Sequence, residues 1–351
     1  MKAYVLHDIN DLHYEEVEKP IPQENTVLVA VKAAGVCGSD IPRIYTAGTY
    51  SYPLIPGHEF SGVVVETGEG ADEAWVGKRV GIFPLIPCKE CPPCRKMQYE
   101  MCQHYSYLGS RTSGGFAEYV QVPVWNLIEL PDSVSMEQAA MLEPMSVAIH
   151  SIRRAGIQKE DTIAVCGLGT IGLFVVMFLL EHGCRNVLAI GNKEFQKKCT
   201  LDLGIPESNY CNAKECDAEQ WIMDMTNSNG VDIFFDCVGK NDTLLQALKC
   251  TIAGGKIQLV GNPVSDMQIA KNVYWQILRK QLTVLGTWNS SFLHEEDDDW
   301  HYVLNCLELQ RIHPEQFITH RYPLEELHKG MEIMRDKSED YVKVMSIRDV
   351  H

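Results

Sequence analysis

Residues 162–193 read TIAVCGLGTIGLFVVMFLLEHGCRNVLAIGNK. The apolar run Ile163 to Cys166 has strand length, Gly167-Leu-Gly169-Thr170-Ile171-Gly172 follows it, an apolar helical segment closes at Gly183, and a second strand runs from Asn186 to Ile190. Strand, turn, helix, strand is the opening unit of a doubly wound parallel sheet. The three glycines have separate tasks: Gly167 permits the tight turn, Gly169 admits a pyrophosphate against the backbone, and Gly172 lets the helix pack close to the sheet. The N–H groups at Thr170 and Ile171 open the helix, with the positive end of its dipole toward the phosphates. A GxGxxG alone is weak evidence, but between a strand and a helix in a unit of about thirty residues it predicts dinucleotide binding. The second strand ends in Gly191, Asn192 and Lys193, where an acidic residue would bind the ribose 2′-hydroxyl of NAD. No carboxylate stands there to repel a 2′-phosphate, and a cation does.

At 351 residues the chain exceeds the length at which one core stops growing, which predicts two domains. A composition of 45% hydrophobic and 22% charged residues is that of an ordinary globular protein. The formal net charge of -16 argues against nucleic acid or an anionic membrane as a partner, while leaving room for a locally basic pocket. The start of the chain has no signal-peptide core, and the longest apolar helical run, Ile171 to Leu180, is too short to span a bilayer. The expectation is a cytoplasmic protein with no membrane association. Thirteen cysteines in such a chain predict metal ligands and reduced thiols rather than disulfides.

Short apolar strands alternate with turn residues through the first 119 positions: Lys2–Leu6, Thr26–Ala34, Phe60–Glu66, Arg79–Phe83 and Phe116–Val122. Val36-Cys37-Gly38-Ser39-Asp40 follows one strand and Pro56-Gly57-His58-Glu59 opens another. Taken alone, Cys37 and His58 read as a buried thiol and a hydrogen-bonded core histidine; with a carboxylate they would make a zinc site with an open position. Cys88, Cys91, Cys94 and Cys102 form C-x2-C-x2-C-x7-C, which suits one tetrahedral, closed and therefore structural zinc, with an iron–sulfur cluster as the rival. A helical pattern starts near Ser135, and Glu143 lies in its apolar part, so a buried carboxylate with either an ion-pair partner or a metal is implied.

Alternating strands and helices fill residues 147–284, including Asp232–Asp236, a helix Thr243–Ile252 and the strand Lys256–Val260. Ligands of such sheets bind at the carboxyl ends of the strands, which puts Val238 and Val260 near the cofactor. The acidic run Glu295–Asp299 reads as a solvated helix start, a helix follows over Trp300–Gln310, and the segments Leu324–Met334 and Lys343–Ile347 read as returning to the first domain. The expected division is a zinc-binding catalytic domain over 1–146 with a structural-zinc lobe at 88–102, a dinucleotide-binding domain over 147–284, and a returning segment over 285–351.

With Cys37-Gly-Ser-Asp, Gly57-His-Glu, the four-cysteine lobe, Leu142-Glu143-Pro144 and Gly167–Gly172 in this order, the chain resembles, end to end, the zinc-dependent medium-chain dehydrogenases. It looks most like their polyol dehydrogenase branch and, within it, the galactitol-1-phosphate 5-dehydrogenases, through Cys37-Gly-Ser-Asp-Ile-Pro-Arg43-Ile, Gly109-Ser-Arg111, Gly114-Gly-Phe-Ala-Glu-Tyr119 and Ile277-Leu-Arg-Lys. The resemblance implies a GroES-like β-rich catalytic domain beside a Rossmann domain. It implies a catalytic zinc on Cys37, His58 and Glu143, with Glu59 as an alternate ligand or neighbour, and a nicotinamide facing that site.

Asp40 would then orient His58, and Ser39 would accept the proton of the substrate hydroxyl while hydride passes to the nicotinamide and a ketose forms. Some relatives continue the proton relay with a histidine three residues past the serine; Pro42 stands there in this chain, so water must replace it. Arg43 falls where sugar-alcohol relatives place a pocket residue and would grip a phosphate, the rival being an ordinary ion pair. Relatives that use NADP carry a small-polar-basic triplet like Gly191-Asn192-Lys193, which favours NADP over NAD, with Lys193 and Lys197 on the 2′-phosphate. The expected substrate is a polyol phosphate or a plain polyol, and the expected assembly a homodimer or homotetramer. A non-catalytic cofactor-binding relative is the remaining alternative, against which Cys37, His58 and Glu143 all speak.

Overall fold

The computed structural model describes residues 1–263 and 265–348. Its chain divides into two compact units, one formed by Met1–Pro144 with the segment from Ser291 onward, the other by Met145–Ser290.

The first unit opens with a hairpin of β1 (Lys2–Asp8) and β2 (Asp11–Glu16), the second of which is too polar to read as a strand from sequence. β3 (Thr26–Val36), helix α1 (Asp40–Tyr45), β4 (Glu59–Thr67), β5 (Arg79–Ile82), the short pair β6 (Leu85–Ile86) and β7 (Ser106–Tyr107), β8 (Tyr119–Pro123) and β9 (Leu127–Glu129) follow. β3 is the centre of this unit because its side chains are buried along nearly its whole length. It pairs antiparallel with both β4 and β8. The helical pattern from Ser135 resolves into two helices, α2 (Met136–Ala140) and α3 (Leu142–Ala155). Ser135 and Gln138 close a capping box on α2 at 3.1 and 3.0 Å, and Pro144 sits in the first turn of α3, where no N–H is needed.

The second unit carries β10 (Ile163–Cys166), α4 (Thr170–Glu181), β11 (Val187–Gly191), α5 (Glu194–Asp202), β12 (Tyr210–Asn212), α6 (Ala218–Met225), β13 (Val231–Asp236), α7 (Asn241–Cys250), β14 (Thr251–Leu259), α8 (Lys271–Arg279) and β15 (Thr283–Gly286). Its six strands are all parallel in the order β12-β11-β10-β13-β14-β15. This is the doubly wound sheet that the glycine motif predicts. β15 runs past the boundary expected at residue 284, since it pairs with β14 as far as Gly286. α4 is buried from Gly172 to Leu179, which explains why its sequence is apolar all round instead of amphipathic. No helix among the described residues is long and apolar enough to cross a membrane.

The chain then adds α9 (Asp299–Glu308), β16 (Ile318–Tyr322), α10 (Leu327–Asp336) and β17 (Lys343–Ile347) to the first unit. β17 pairs antiparallel with β3, with Val344 opposite Val36. The acidic run Glu295–Asp299 is the expected helix start but is solvated only in part, at Glu295, Glu296 and Asp297. Asp298 and Asp299 are buried, because Asp298 caps α9 through His301 N at 2.8 Å and Asp299 accepts from Ser291 N and Oγ at 2.7 and 2.8 Å. Two cysteines depart from the expectation of reduced thiols: Cys211 and Cys216 are bonded to each other.

Candidate active site and cofactor edge

Two turns of the first unit bring its chemistry together. After β3, the chain folds back so that Cys37 N donates to Asp40 Oδ2 at 3.0 Å and Asp40 N to Cys37 O at 3.0 Å, which fixes the turn by its own side chain. Ahead of β4, Gly57 adopts φ +94°, and a Cβ there would meet the Phe116 ring at 2.5 Å, so only glycine can deliver His58 at this point. The β3–β4 register sets Glu59 opposite Gly35, whose missing side chain leaves space for the carboxylate.

As a result the thiol of Cys37, the imidazole of His58 and the carboxylate of Glu59 offer donor atoms that all lie within 4.8 Å of one another. His58 and Glu59 are buried. Ser39 Oγ donates to Cys37 Sγ at 3.3 Å, beside this cluster. Asp40 is fully buried and its Oδ1 lies 3.4 Å from His58 Nδ1, close enough for an ion pair, yet Nδ1 lacks a hydrogen bond of proper geometry. Burial pushes the His58 pKa down, but the charges of Asp40 and Cys37 outweigh it and raise it well above the usual value. Burial likewise pushes the Asp40 carboxyl up, and His58, Arg43 and the Cys37 N–H together hold it below its ordinary value.

These residues fit a zinc ion. Their donor set is one soft thiolate, one imidazole and one carboxylate, and their mutual reach is that of a single coordination sphere. The acids and thiol of the pocket, Cys37, Asp40, Glu59 and Glu143, outnumber its cations, so a buried positive charge is electrostatically welcome there. A cation would compete for the site that the His58 proton uses, and its binding would release that proton.

The resemblance implies that Glu143 completes the ligand set; the structure gathers Glu59 with Cys37 and His58, and Glu143 stands beside that group. Its carboxylate accepts instead from the Tyr107 hydroxyl at 3.0 Å. Burial, helped by the charge of Glu59, pushes its pKa up to about 7 against the pull of His58, Tyr107 and Lys343. Arg43, expected on a phosphate, has its Nη1 on Asp40 Oδ1 at 2.6 Å, an ion pair with the buried acid behind His58.

The four-cysteine lobe closes on itself. Its sulfurs stand 3.4 Å (Cys91–Cys94), 3.5 Å (Cys102–Cys88), 3.9 Å (Cys91–Cys102) and 4.0 Å (Cys88–Cys94) apart. A tetrahedron with metal–sulfur bonds of about 2.3 Å has edges of about 3.8 Å, so these spacings suit one zinc. An iron–sulfur cluster, whose thiolates spread around an inorganic core, does not fit in that space.

In the second unit the strand ends form one edge, since Cys166 lies level with Ile190 on one side and Asp236 on the other. Gly167 has φ +93° and its position abuts Val238, Gly172 lies against the Gly167 carbonyl, and nothing stands within 4 Å of the side-chain position of Gly169. That is the open approach that a pyrophosphate needs, at the start of α4, where Thr170 and Ile171 lie. Asp236 shapes the neighbouring loop, accepting from Val238 N and Gly239 N at 3.0 and 3.1 Å and from Thr243 Oγ1 at 3.1 Å. A cavity of about 320 Å³ opens beside it, lined by Val260, Asn262, Thr287 and Trp288 among others.

At the end of β11 a side chain on Gly191 would meet Tyr210 OH at 2.7 Å and Gln196 Oε1 at 2.9 Å. The place of an acidic residue is thus already filled, and Gln196 Oε1 accepts from Asn192 N at 2.9 Å. Tyr210 OH donates to the carbonyl of Lys193 at 3.0 Å. Lys197, expected on the 2′-phosphate, pairs with Glu207 at 2.6 Å instead.

Residues 23–132 match the family model of the alcohol dehydrogenase GroES-like domain and residues 170–308 that of the zinc-binding dehydrogenases. Galactitol 1-phosphate 5-dehydrogenase of Escherichia coli K12 is 31% identical over 88% of each chain. The chain is a zinc-binding medium-chain dehydrogenase. Erythritol/L-threitol dehydrogenase of Mycolicibacterium smegmatis is 32% identical over 99% of this chain and 97% of that one. A zinc-binding dehydrogenase from Sinorhizobium meliloti 1021, solved with NADP bound, superposes with a TM-score of 0.90 at 26% identity, covering 99% of both chains.

Two side chains of the dehydrogenase's zinc pocket escape a reading of the sequence. Lys343, on β17, is buried and pairs with Glu59 Oε2 at 2.6 Å. Tyr107 lies with its ring 5.7 Å from that of His58 and its hydroxyl on Glu143. Burial and the surrounding acids raise the Tyr107 pKa far above the usual phenol value, which keeps this hydroxyl a donor. The only sequence signal for Lys343 is a lysine opening a mostly apolar strand.

Proposed function

We propose that this dehydrogenase transfers a hydride between the carbinol carbon of a polyol phosphate and NADP, giving a ketose. The observation that supports it best is the buried donor set of Cys37, His58 and Glu59, with Ser39 against the thiol and Asp40 behind the imidazole. Cys37 and His58, with Glu59 or Glu143, would hold the catalytic zinc, and the four cysteines a structural one. Bound there, the catalytic ion supplies the Lewis acidity that brings the substrate hydroxyl's pKa toward neutrality. Ser39 accepts the proton of that hydroxyl, and Asp40 keeps the imidazole oriented from behind. Gly167, Gly169 and the first N–H groups of α4 hold the pyrophosphate, while Asn192 and Lys193 meet the 2′-phosphate.

A plain polyol as substrate is the second reading, favoured by the commitment of Arg43 to Asp40. One panel separates the two. Galactitol 1-phosphate, galactitol and sorbitol are assayed with NAD and with NADP, alongside zinc analysis of the fresh protein. The proposal expects the phosphate ester and NADP to give the highest kcat/KM and zinc near two ions per chain, one for each cluster. Preference for an unphosphorylated polyol rejects the phosphate, preference for NAD rejects the cofactor, and one zinc or fewer rejects the paired-site reading.

A further inference from the structure

With Arg43 bound to Asp40, a second arginine of the same unit becomes the group to examine. Arg111 lies in the loop after β7, where its backbone N–H donates to Tyr107 O at 2.9 Å. Its guanidinium carbon sits 4.1 Å from the centre of the Tyr50 ring and 4.4 Å from that of Tyr105, so the planar group is held between two phenols. Thr49 Oγ1 donates to Ser110 O at 2.8 Å and clips the loop that carries Tyr50 onto the loop that carries Arg111. Nε is buried and has no hydrogen-bond partner among the described residues.

Stacking occupies the two faces of a guanidinium and leaves its N–H donors pointing outward in the plane. Those donors have no carboxylate here: no ion pair of Arg111 exists among the described residues, although the chain has 47 acidic residues against 31 basic ones. The buried Nε lies out of a ligand's reach, and the donors open to an anion are those of Nη1 and Nη2, which have no hydrogen bond among the described residues. A flat fork with fixed faces matches a phosphate. The Tyr105 ring lies 6.2 Å from that of Tyr107, which itself lies 5.7 Å from His58. Arg111 is therefore two rings away from the zinc pocket.

We infer that Arg111, stacked between Tyr50 and Tyr105, binds the phosphate of the substrate while the carbinol end lies at Cys37, His58 and Glu59. This assignment rests on the reading of the substrate as a polyol phosphate. Arg43 then acts on the buried Asp40, and discrimination between ester and free polyol belongs to Arg111.

The test compares wild type with Arg111→Met, which keeps the stem between the rings and removes the donors, and with Tyr50→Leu, which changes an exposed ring and leaves the core intact. KM and kcat are measured for galactitol 1-phosphate and galactitol, with inorganic phosphate as inhibitor of galactitol oxidation. Arg111→Met is expected to raise KM for the ester by about tenfold to a hundredfold, the loss of one charged hydrogen-bonded contact, with kcat and the galactitol parameters nearly unchanged. Tyr50→Leu moves the same KM by a smaller factor, and phosphate inhibition disappears in Arg111→Met. Equal losses on both substrates, or an unchanged KM for the ester, overturn the assignment. A wild type that handles ester and polyol alike rejects the substrate reading, and the inhibition then decides for Arg111 alone. Phosphate inhibition lost with the arginine upholds an anion site; inhibition that persists, or none in the wild type, overturns it.

Discussion

Replacing Lys343 by methionine probes how the first unit holds its acidic pocket together. The ammonium is 1% exposed, sits 2.6 Å from Glu59 Oε2 and also donates to Val36 O at 3.3 Å. Methionine fills much of the same volume, so the change removes one charge and little packing. It strands a Glu59 carboxylate that is itself 1% exposed. Breaking a buried ion pair from one side costs about 3–5 kcal/mol, and in a unit of this size each kcal/mol moves Tm by about 2–4 °C. The expected fall is about 6–20 °C, toward the lower end in zinc-loaded protein, where the ion gives Glu59 a second positive neighbour. Thermal unfolding of wild type, Lys343→Met, Glu59→Gln and the double variant forms a cycle. The double variant should recover at least about 2 kcal/mol of the summed losses, because neutral glutamine needs no ammonium. Burial lowers the lysine's pKa, but the charge of Glu59 outweighs it and raises the folded value above 10.5. Its contribution is therefore complete below that value and lost only as pH rises through the higher folded one. The lysine's own titration leaves the gap between wild type and Lys343→Met flat up to about pH 9, while the lost pull on Glu143, whose pKa is about 7, should widen the gap as pH rises through neutrality. Additive losses, or a single-variant cost under about 1 kcal/mol, would refute the reasoning.

Gly191→Asp should lower kcat/KM for NADP by about tenfold or more through repulsion of the 2′-phosphate. It should not improve NAD until Tyr210 is also shortened, since Tyr210 OH fills the space at 2.7 Å; a single variant that switches cofactor outright would show that the ring yields freely. Asp298→Ala removes the cap on His301 N and leaves the Leu293 N–H, held at 2.7 Å, without an acceptor, for a cost of about 2–4 kcal/mol by denaturant unfolding. Burial pushes the Asp298 carboxyl up, but hydrogen bonds from His301 and Leu293 hold its folded pKa below 3.8. That stabilisation is present above 3.8 and lost as pH falls through the folded value, so the gap to wild type must shrink in acid. Cys94→Ser should halve the zinc content and lower Tm, because the remaining three thiolates leave a tetrahedral ion one ligand short.

The parts of this dehydrogenase that could be read from its sequence are those whose physics is local. Gly167, Gly169 and Gly172 act within one turn and the first turn of one helix, and the structure gives each the space its role requires. The cysteine lobe needs only fifteen residues to surround an ion. Register is not local. Glu59 and Lys343 are 284 positions apart and meet only because β17 and β4 flank β3 on opposite sides. Glu143 and Tyr107 are 36 apart and meet through the β6–β7 lobe. A sequence gives the kinds of donors present, and both Glu59 and Glu143 qualified as a third ligand. Which carboxylate stands beside Cys37 and His58 depends on Gly35 facing Glu59 and on the Tyr107 hydroxyl reaching Glu143, and neither partner resembles a metal ligand. The same holds for the two arginines. Arg43 and Arg111 look alike in the sequence, and what separates them is that Asp40 lies within 2.6 Å of one while two tyrosine rings enclose the other. An acid takes the Nη1 donor of the first, whereas rings cover only the faces of the second. It follows that a search for anion sites in such a domain should rank arginines by the chemistry of what already touches them, and position near the metal ligands in sequence comes second.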